Sequence, residues 1–193
     1  MLVYHLLIGE CIINNFMKNC YELNFSGNFV CENLNLTDKF NNPWQTIDVS
    51  MNESISVEGQ NFLKKLNVFP TNINLFIGDP LASTRIHIDS TNQSYALNYS
   101  WGSIDSTMCW YNILDNNYNL SQTTKGNYFF KFDPTQVVEI EKIKLHKKLV
   151  IVRIDKPHAV YNHTNEKRYC LSVRCSPKFS WEKIINHLSP YIL

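Results

Sequence analysis

The sequence lacks the cysteine spacing of zinc and iron–sulfur proteins. Its six cysteines, at positions 11, 20, 31, 109, 170 and 175, include no Cys-x-x-Cys pair and no regular framework. A cysteine-bound zinc ion, an iron–sulfur cluster and a disulfide scaffold are therefore not expected. Reduced thiols in a cytoplasmic protein are the simplest interpretation.

Long apolar runs and net charge are also missing. No stretch of eighteen apolar residues occurs, and the first seventeen residues are interrupted by Tyr4, His5 and Glu10 and carry no basic segment. We therefore expect neither a membrane partner nor a signal peptide. A net charge of +1 gives no sign of a broad nucleic-acid-binding surface.

The composition that remains suits one folded domain. The 193 residues are 44% hydrophobic and 13% aromatic, and no linker or repeat divides them. We predict a single domain over residues 1–193, with a β-rich core at about 73–176. Residues 1–72 would supply supporting elements, among which 2–16 fit either a strand or a helix, and 177–193 would supply a C-terminal helix.

Short β-strands dominate the chain from residue 72 onward. Alternating and β-branched runs predict strands at 72–77, 84–89, 95–101, 107–114, 128–132, 137–145, 149–154, 158–161 and 167–175. Helices are expected at 56–66 and at 180–188, where Ser180 is a suitable N-cap. Many short strands in one domain predict a mainly β protein, either a sandwich or a jelly roll.

A histidine and a carboxylate lie one residue apart in the second predicted strand. In an extended strand His87 and Asp89 project to the same side, roughly 6.5–7 Å apart along the chain. Ile86 and Ile88 would then face a core on the other side. Imidazole with carboxylate is a ligand set that suits Fe(II) and leaves coordination positions open when a third ligand joins. A His-x-Asp pair alone is more often a surface pair, so its context decides.

The third ligand is expected from a distant strand. His158 follows Pro157, which stiffens the backbone beside it. His163 is a rival third ligand, although it lies in a polar, turn-like segment. Ten residues after His158, Arg168 begins a strand in which Arg168, Cys170, Ser172 and Arg174 share one face. A guanidinium in that position can bind a carboxylate through two hydrogen bonds.

Taken together, these residues resemble a known enzyme family. His87-x-Asp89, the distal His158 and the run Arg168-Tyr-Cys-Leu-Ser-Val are similar to the Fe(II)/2-oxoglutarate-dependent oxygenases, in particular to the prolyl-4-hydroxylase-like branch. The resemblance covers about residues 73–176. One position departs from it, because Ile77 stands where the branch often has a tyrosine that assists 2-oxoglutarate binding.

The resemblance implies a fold, cofactors and residue roles. It implies a double-stranded β-helix, that is, a cupin-like jelly roll, with a few helices packed on one sheet. His87, Asp89 and His158 would hold Fe(II). The co-substrate 2-oxoglutarate would chelate the metal and place its far carboxylate on Arg168, and O2 would complete the reaction. Decarboxylation to succinate would then accompany hydroxylation of a substrate C–H bond.

Other pocket residues are weaker candidates. Asn98 and Ser172 are candidates for contact with the co-substrate. Arg174 is a candidate for substrate binding, or an alternative to Arg168 as the carboxylate ligand. A substrate wall could be formed by Trp101, Trp110 and Tyr111, although aromatic residues on strands more often belong to a core.

Three functional classes stay open at this point. The branch resemblance favours a hydroxylase acting on a protein side chain such as proline or asparagine. The same chemistry on a nucleobase or a small metabolite is the second class, and a non-catalytic jelly-roll binding module is the third. The sequence does not identify the substrate or the oligomeric state.

Overall fold

The structure is a computed structural model that describes residues 18–32, 34, 36, 43–89, 93–114, 119–122 and 128–193. The segment 2–16, for which the sequence allows a strand or a helix, lies outside these residues. Within the described chain, twelve strands, three helices and two short 3-10 turns follow one another.

The strands and helices have the following bounds. The strands are β1 Cys20–Glu22, β2 Trp44–Asp48, β3 Phe69–Gly78, β4 His87–Asp89, β5 Tyr95–Gly102, β6 Ser106–Ile113, β7 Asn119–Gln122, β8 Tyr128–Lys131, β9 Val137–Lys144, β10 Leu149–Arg153, β11 His158–Asn162 and β12 Arg168–Ser176. The helices are α1 Met51–Ser54, α2 Val57–Lys65 and α3 Trp181–Leu188.

The strands form two antiparallel sheets of six. The first sheet has the order β1-β10-β5-β12-β3-β2, and the second has the order β7-β8-β4-β11-β6-β9. From β3 to β6 each successive strand changes sheet, and from β9 to β12 the alternation is repeated. This regular crossing defines a double-stranded β-helix, so the predicted mainly β jelly-roll fold is confirmed.

Apolar side chains fill three layers around the two sheets. The largest cluster covers the outer face of the first sheet, where Leu75, Leu97 and Leu171 pack against Leu63 of α2 and Ile184 of α3. The helices therefore pack on one sheet, as expected. Two smaller clusters lie between the sheets and on the outer face of the second sheet. The alternation of each strand thus sends one set of side chains outward and the other into the space between the sheets.

Helices α2 and α3 each begin after a serine N-cap, of which only Ser180 was predicted. The Ser56 hydroxyl accepts a hydrogen bond from the Gly59 backbone, and Ser180 accepts one from Lys183. These caps satisfy amide groups that the first helical turn would otherwise leave unpaired.

The strand boundaries differ from prediction in two ways. Strands β1, β2 and β7 were not expected, and β1 and β2 extend the first sheet with residues from the N-terminal region. The predicted strand 84–89 is shorter, because only His87–Asp89 joins the sheet. Thr84 instead accepts a hydrogen bond from the Val160 amide through its hydroxyl, at 2.8 Å.

Two further findings concern thiols and membranes. The five cysteines in the described chain are free, and Cys11 lies outside it. Among the described helices, none has the length and apolar character required to span a bilayer.

Candidate metal centre and the cavity beside it

Strand β4 presents two potential metal ligands on one side. His87 and Asp89 both line a cavity between the sheets, whereas Ile86 and Ile88 pack in the cluster on the outer face. His87 Nε2 lies 3.5 Å from Asp89 Oδ1. The alternation of a three-residue strand is thus sufficient to bring imidazole and carboxylate together.

Strand β11 adds the second imidazole. His158 pairs with His87 across the β4–β11 ladder, and the two ring centroids are 4.4 Å apart. The structure brings His87, Asp89 and His158 together so that one ligand atom from each lies within 4.8 Å of the others. This is a spacing that a single ion can bridge.

Backbone carbonyls orient both histidine rings. His87 Nδ1 lies 2.7 Å from the Arg85 carbonyl oxygen, and His158 Nδ1 lies 2.9 Å from that of Lys156. Each Nδ1 therefore carries a proton and donates it to an oxygen, since a carbonyl can only accept. Each Nε2 is left with a lone pair that can bind a metal ion.

The protonation states of His158 and Asp89 also suit a metal site. Burial lowers the pKa of His158 to about 4, so this ring is neutral at neutral pH. For Asp89, burial acts to raise the pKa, but the hydrogen bond with His87 and the charge of Arg174 outweigh it and hold the pKa well below its usual range. Burial acts to lower the pKa of His87, yet the hydrogen bond with Asp89 raises it overall.

Asp89 is also paired with an arginine from the opposite sheet. Arg174 Nη2 donates to Asp89 Oδ2 at 2.6 Å, while Oδ1 faces His87. One carboxylate oxygen is therefore held by a guanidinium and the other faces the imidazoles. The donor set of two imidazole nitrogens and one carboxylate oxygen fits a divalent transition metal such as Fe(II).

The cavity beside this cluster has a volume of about 110 Å³ and lies between the sheets. Its walls come from both. The second sheet and its adjoining loops contribute polar and apolar side chains, namely Thr84, His87, Asp89, Met108, His158 and Val160. The first sheet and the turn after β10 contribute the remainder, namely Trp44, Phe76, Asn98, Ile154, Arg168, Cys170, Ser172 and Arg174.

Arg168 carries a charge that the described protein does not neutralise. Its side chain is only 2% exposed. One nitrogen, Nη2, donates to the Ser100 hydroxyl at 2.9 Å, and its Nε has no hydrogen-bond partner. No carboxylate of the described chain forms an ion pair with it. Since an unpaired buried charge is costly, this guanidinium indicates a binding site for an anion.

The two arginines of β12 lie at different ends of the cavity. Arg168 and Arg174 are six residues apart, or roughly 20 Å along the strand. Arg174 is engaged with Asp89 at the metal cluster. The alternative in which Arg174 replaces Arg168 as the carboxylate ligand is thus less favourable, because Arg174 already has a carboxylate partner.

Two other predicted residues lie on the cavity wall. Asn98 and Ser172 face each other in the β5–β12 ladder, and both line the cavity. The Asn98 side-chain oxygen is buried and has no hydrogen-bond donor. It is therefore available to a ligand that carries an N–H or O–H group.

The aromatic residues considered for a substrate wall, Trp101, Trp110 and Tyr111, are not among those that line this cavity. Trp110 is buried in the apolar cluster between the sheets, and its indole nitrogen donates to the Arg153 carbonyl at 2.8 Å. A bulge between Trp110 and Tyr111 shifts the register, and the Tyr111 hydroxyl lies 2.8 Å from that of Tyr161. The rings of Trp110 and Tyr111 therefore belong to the core.

The rival ligand His163 lies away from the cluster. Its Nε2 is 2.9 Å from the Thr107 hydroxyl, and its ring stacks on Tyr161. It is not part of the group that could hold a metal. The structure thus favours His158 over His163.

Sequence reasoning missed Trp44 and Phe76, which both line the cavity. Phe76 could have been found from alternation, since its neighbours Leu75 and Ile77 face the large apolar cluster. Trp44 gives no such signal, because its strand β2 was not predicted.

Comparisons with known proteins give only distant similarities. No protein-family model matches the sequence, and no curated protein matches it. The described fold is similar to peruvianin-I, a cysteine peptidase from Thevetia peruviana latex, with 11% identity, a TM-score of 0.37 and coverage of 78% of this chain and 74% of that one.

Two further solved structures are similar at the same level. E. coli ycfD has 14% identity and a TM-score of 0.36, and the match covers 60% of this chain but 28% of that one. An oxalate oxidase in complex with the substrate analogue glycolate has 11% identity and a TM-score of 0.35, with coverage of 84% and 77%. At such values the comparisons add no argument about function, which must come from the cavity.

Proposed function

We propose that the protein is an Fe(II)- and 2-oxoglutarate-dependent dioxygenase that hydroxylates a substrate C–H bond. The observation that carries the proposal is that one cavity contains both a His-Asp-His cluster and a buried guanidinium for which the described residues provide no counter-ion. A metal cluster alone is compatible with many activities. An α-keto dicarboxylic acid could reach both groups, because it has a keto acid at one end for the metal and a carboxylate at the other end for the guanidinium.

His87, Asp89 and His158 would hold the iron. Three ligands are offered, so positions stay open for other molecules. When bound, Fe(II) would supply the oxidation chemistry that side chains of a protein cannot perform. The protein would hold the two imidazoles in the correct tautomer through the carbonyls of Arg85 and Lys156.

Arg168 would bind the far carboxylate of the co-substrate. Its guanidinium offers several N–H donors in a plane, which is the geometry that a carboxylate accepts best. Ser100 holds one of these nitrogens, which restricts the side chain before a ligand arrives. Asn98 and Ser172 would contact the middle of the same molecule.

Burial would protect the reaction from water. The cluster between the sheets is flanked by Met108, Ile154 and Val160, so the cavity has apolar walls next to the ligands. Exclusion of water strengthens the charged contacts and limits side reactions.

We propose a protein side chain, such as proline or asparagine, as the substrate, and a cytoplasmic location. This part rests on the resemblance of the run Arg168-Tyr-Cys-Leu-Ser-Val to the prolyl-4-hydroxylase-like branch. Substrate pools of peptides, oligonucleotides and metabolites, searched for a product heavier by one oxygen atom, would distinguish this class from the others.

The activity is tested by succinate formation. We expect the purified protein to release succinate from 2-oxoglutarate only when Fe(II) and O2 are present, and we expect His87→Ala to abolish the release. His163→Ala is the matched control, because this histidine lies outside the cluster and should retain activity. Equal succinate release by the wild type and His87→Ala would refute the proposal.

A further inference from the structure

Three residues form a row across neighbouring strands at the end of the cavity that holds Arg168. Trp44 of β2 pairs with Gly78 of β3, and Gly78 pairs with Arg168 of β12. Side chains at such positions project from the same face of the sheet. Trp44 and Arg168 both line the cavity, so the glycine between them lies under the same space.

Gly78 lets the indole ring cross to the arginine. A Cβ atom at position 78 would lie 2.8 Å from Cη2 and 3.0 Å from Cζ3 of Trp44. These distances are shorter than van der Waals contact, so the ring occupies the space that any other side chain would need. The Arg168 Cζ atom is 5.8 Å from the centre of that ring, within the range of a cation–π contact.

The Trp44 indole N–H is a donor that finds no acceptor in the described part of the chain. Its Nε1 is shielded from solvent, and no described residue forms a hydrogen bond with it. Tryptophan N–H groups usually find a partner when they are buried. Two other buried tryptophans of this protein do have acceptors. Trp110 donates to the Arg153 carbonyl, and Trp181 donates to the Lys18 carbonyl.

The Trp44 indole and the Arg168 guanidinium lie side by side, and each has one N–H donor without a partner among the described residues. On Arg168 this donor is Nε, so two buried donors at one end of the cavity await an acceptor. A carboxylate has two oxygens and can accept from both.

We propose that Trp44 is a co-substrate-binding residue whose indole N–H donates to the same ligand carboxylate as Arg168. Gly78 is the positioning residue that allows the ring to lie there. The inference rests on the proposed function, since it takes 2-oxoglutarate as the ligand. It adds the second donor of the carboxylate site and assigns it to a strand outside the segment that carries the resemblance.

Calorimetric titration of the Mn(II)-loaded protein tests the proposal with two ligands. The first is 2-oxoglutarate, and the second is 2-oxovalerate, which has the same chain length without the far carboxylate. We expect Trp44→Phe to weaken 2-oxoglutarate binding by about tenfold, because a hydrogen bond to a charged group is lost while an aromatic ring is kept. Binding of 2-oxovalerate should not change.

Trp101→Phe is the matched control. Trp101 lies on the first sheet as well, but it stacks on Tyr169 and packs against the outer cluster. The same substitution there should leave binding of both ligands unchanged. Gly78→Ala should reproduce the defect of Trp44→Phe, because the added methyl group displaces the ring.

A measurement on the unaltered chain removes any doubt about folding. In the protein labelled with ¹⁵N-tryptophan, the indole N–H resonance of Trp44 should shift downfield when 2-oxoglutarate is added, and it should not shift in this way with 2-oxovalerate. The Trp101 resonance should stay in place with either ligand.

Several results would overturn the inference. It fails if Trp44→Phe binds 2-oxoglutarate as tightly as the wild type, or if it weakens both ligands equally. In those cases the proposed function stands, provided that the wild type binds 2-oxoglutarate and Arg168→Met does not. If the wild type binds no 2-oxoglutarate at all, the proposed function falls and the inference falls with it.

Discussion

The two ends of the cavity differ in whether the protein compensates the charge that lies there. At the metal end, Asp89 is paired with Arg174 at 2.6 Å and faces His87, so the protein already compensates the carboxylate. At the other end, Arg168 is buried without a carboxylate from the described chain. One end is therefore organised by the protein itself, whereas the other would be completed by a ligand under the proposed function.

The largest effect is expected from loss of a metal ligand. His158→Ala should lower the affinity for Co(II) by more than about 100-fold, because loss of a ligand should cost more than loss of an outer-shell partner. Titration followed by visible absorption measures this affinity. His146→Ala is the control, since His146 lies beside the Ser103 carbonyl and outside the cluster. Unchanged Co(II) affinity in His158→Ala would show that this end of the cavity is not a metal site.

The next effect concerns the other end. Arg168→Met should weaken 2-oxoglutarate binding by about 10- to 100-fold, because charge-assisted hydrogen bonds to a carboxylate are lost. The affinity for Co(II) should stay the same. The free energy of unfolding should not fall, since an unpaired buried charge is replaced by an apolar side chain. A strong loss of stability would mean that the protein does compensate Arg168.

The variant Arg174→Met distinguishes the role of Arg174 from that of Arg168. Arg174 acts as a positioning residue for Asp89, so its loss should lower the affinity for Co(II) by about tenfold, as is typical for outer-shell partners of metal ligands. Arg174→Lys should restore part of that affinity, because the positive charge is retained. A defect in 2-oxoglutarate binding with normal Co(II) affinity would reverse the roles of Arg168 and Arg174.

The smallest effect is expected away from both ends. Tyr111→Phe removes a hydroxyl that bonds to Tyr161, so the free energy of unfolding should fall by about 1 kcal/mol. Chemical denaturation measures this change. Succinate release should not change, because Tyr111 does not line the cavity. A large loss of activity without loss of stability would indicate that Tyr111 contacts the substrate after all.

Much of the fold could be predicted from strand patterns. The strand predicted at 137–145 is observed as Val137–Lys144, and that at 149–154 is observed as Leu149–Arg153. Strands of this kind occur in both sheets. One face of each sheet packs against a core, so the strand sequences alternate between apolar and polar residues. By contrast, β1 has three residues and β2 is an edge strand of mixed polarity, Trp-Gln-Thr-Ile-Asp. Short edge strands bury little, so their alternation carries a weak signal.

The site was predictable where alternation decides the geometry. His87 with Asp89, and Arg168 with Ser172 and Arg174, share a face because of the two-residue period of a strand. The pairing of Arg174 with Asp89 joins residues 85 positions apart on opposite sheets. Sequence spacing holds no information on such a contact, which depends on how the two sheets face each other.

The aromatic residues of β6 illustrate the same alternation. Trp110 and Tyr111 are consecutive, so their side chains point to opposite faces of the second sheet. Trp110 packs in the cluster between the sheets and Tyr111 packs in the cluster on the outer face, so they cannot form one wall of the cavity. Trp44 was missed because its short edge strand β2 was not predicted, and the position of its ring depends on the absence of a side chain at Gly78.

Both ends of the cavity can be tested together by anaerobic titration of the Fe(II)-loaded protein with 2-oxoglutarate. An α-keto acid that chelates Fe(II) gives a visible charge-transfer absorption. We predict that the wild type develops this absorption and saturates, that Arg168→Met develops it only at much higher 2-oxoglutarate concentration, and that His87→Ala does not develop it. A wild-type protein that shows no such absorption at any concentration, or an Arg168→Met variant that saturates like the wild type, would contradict the account.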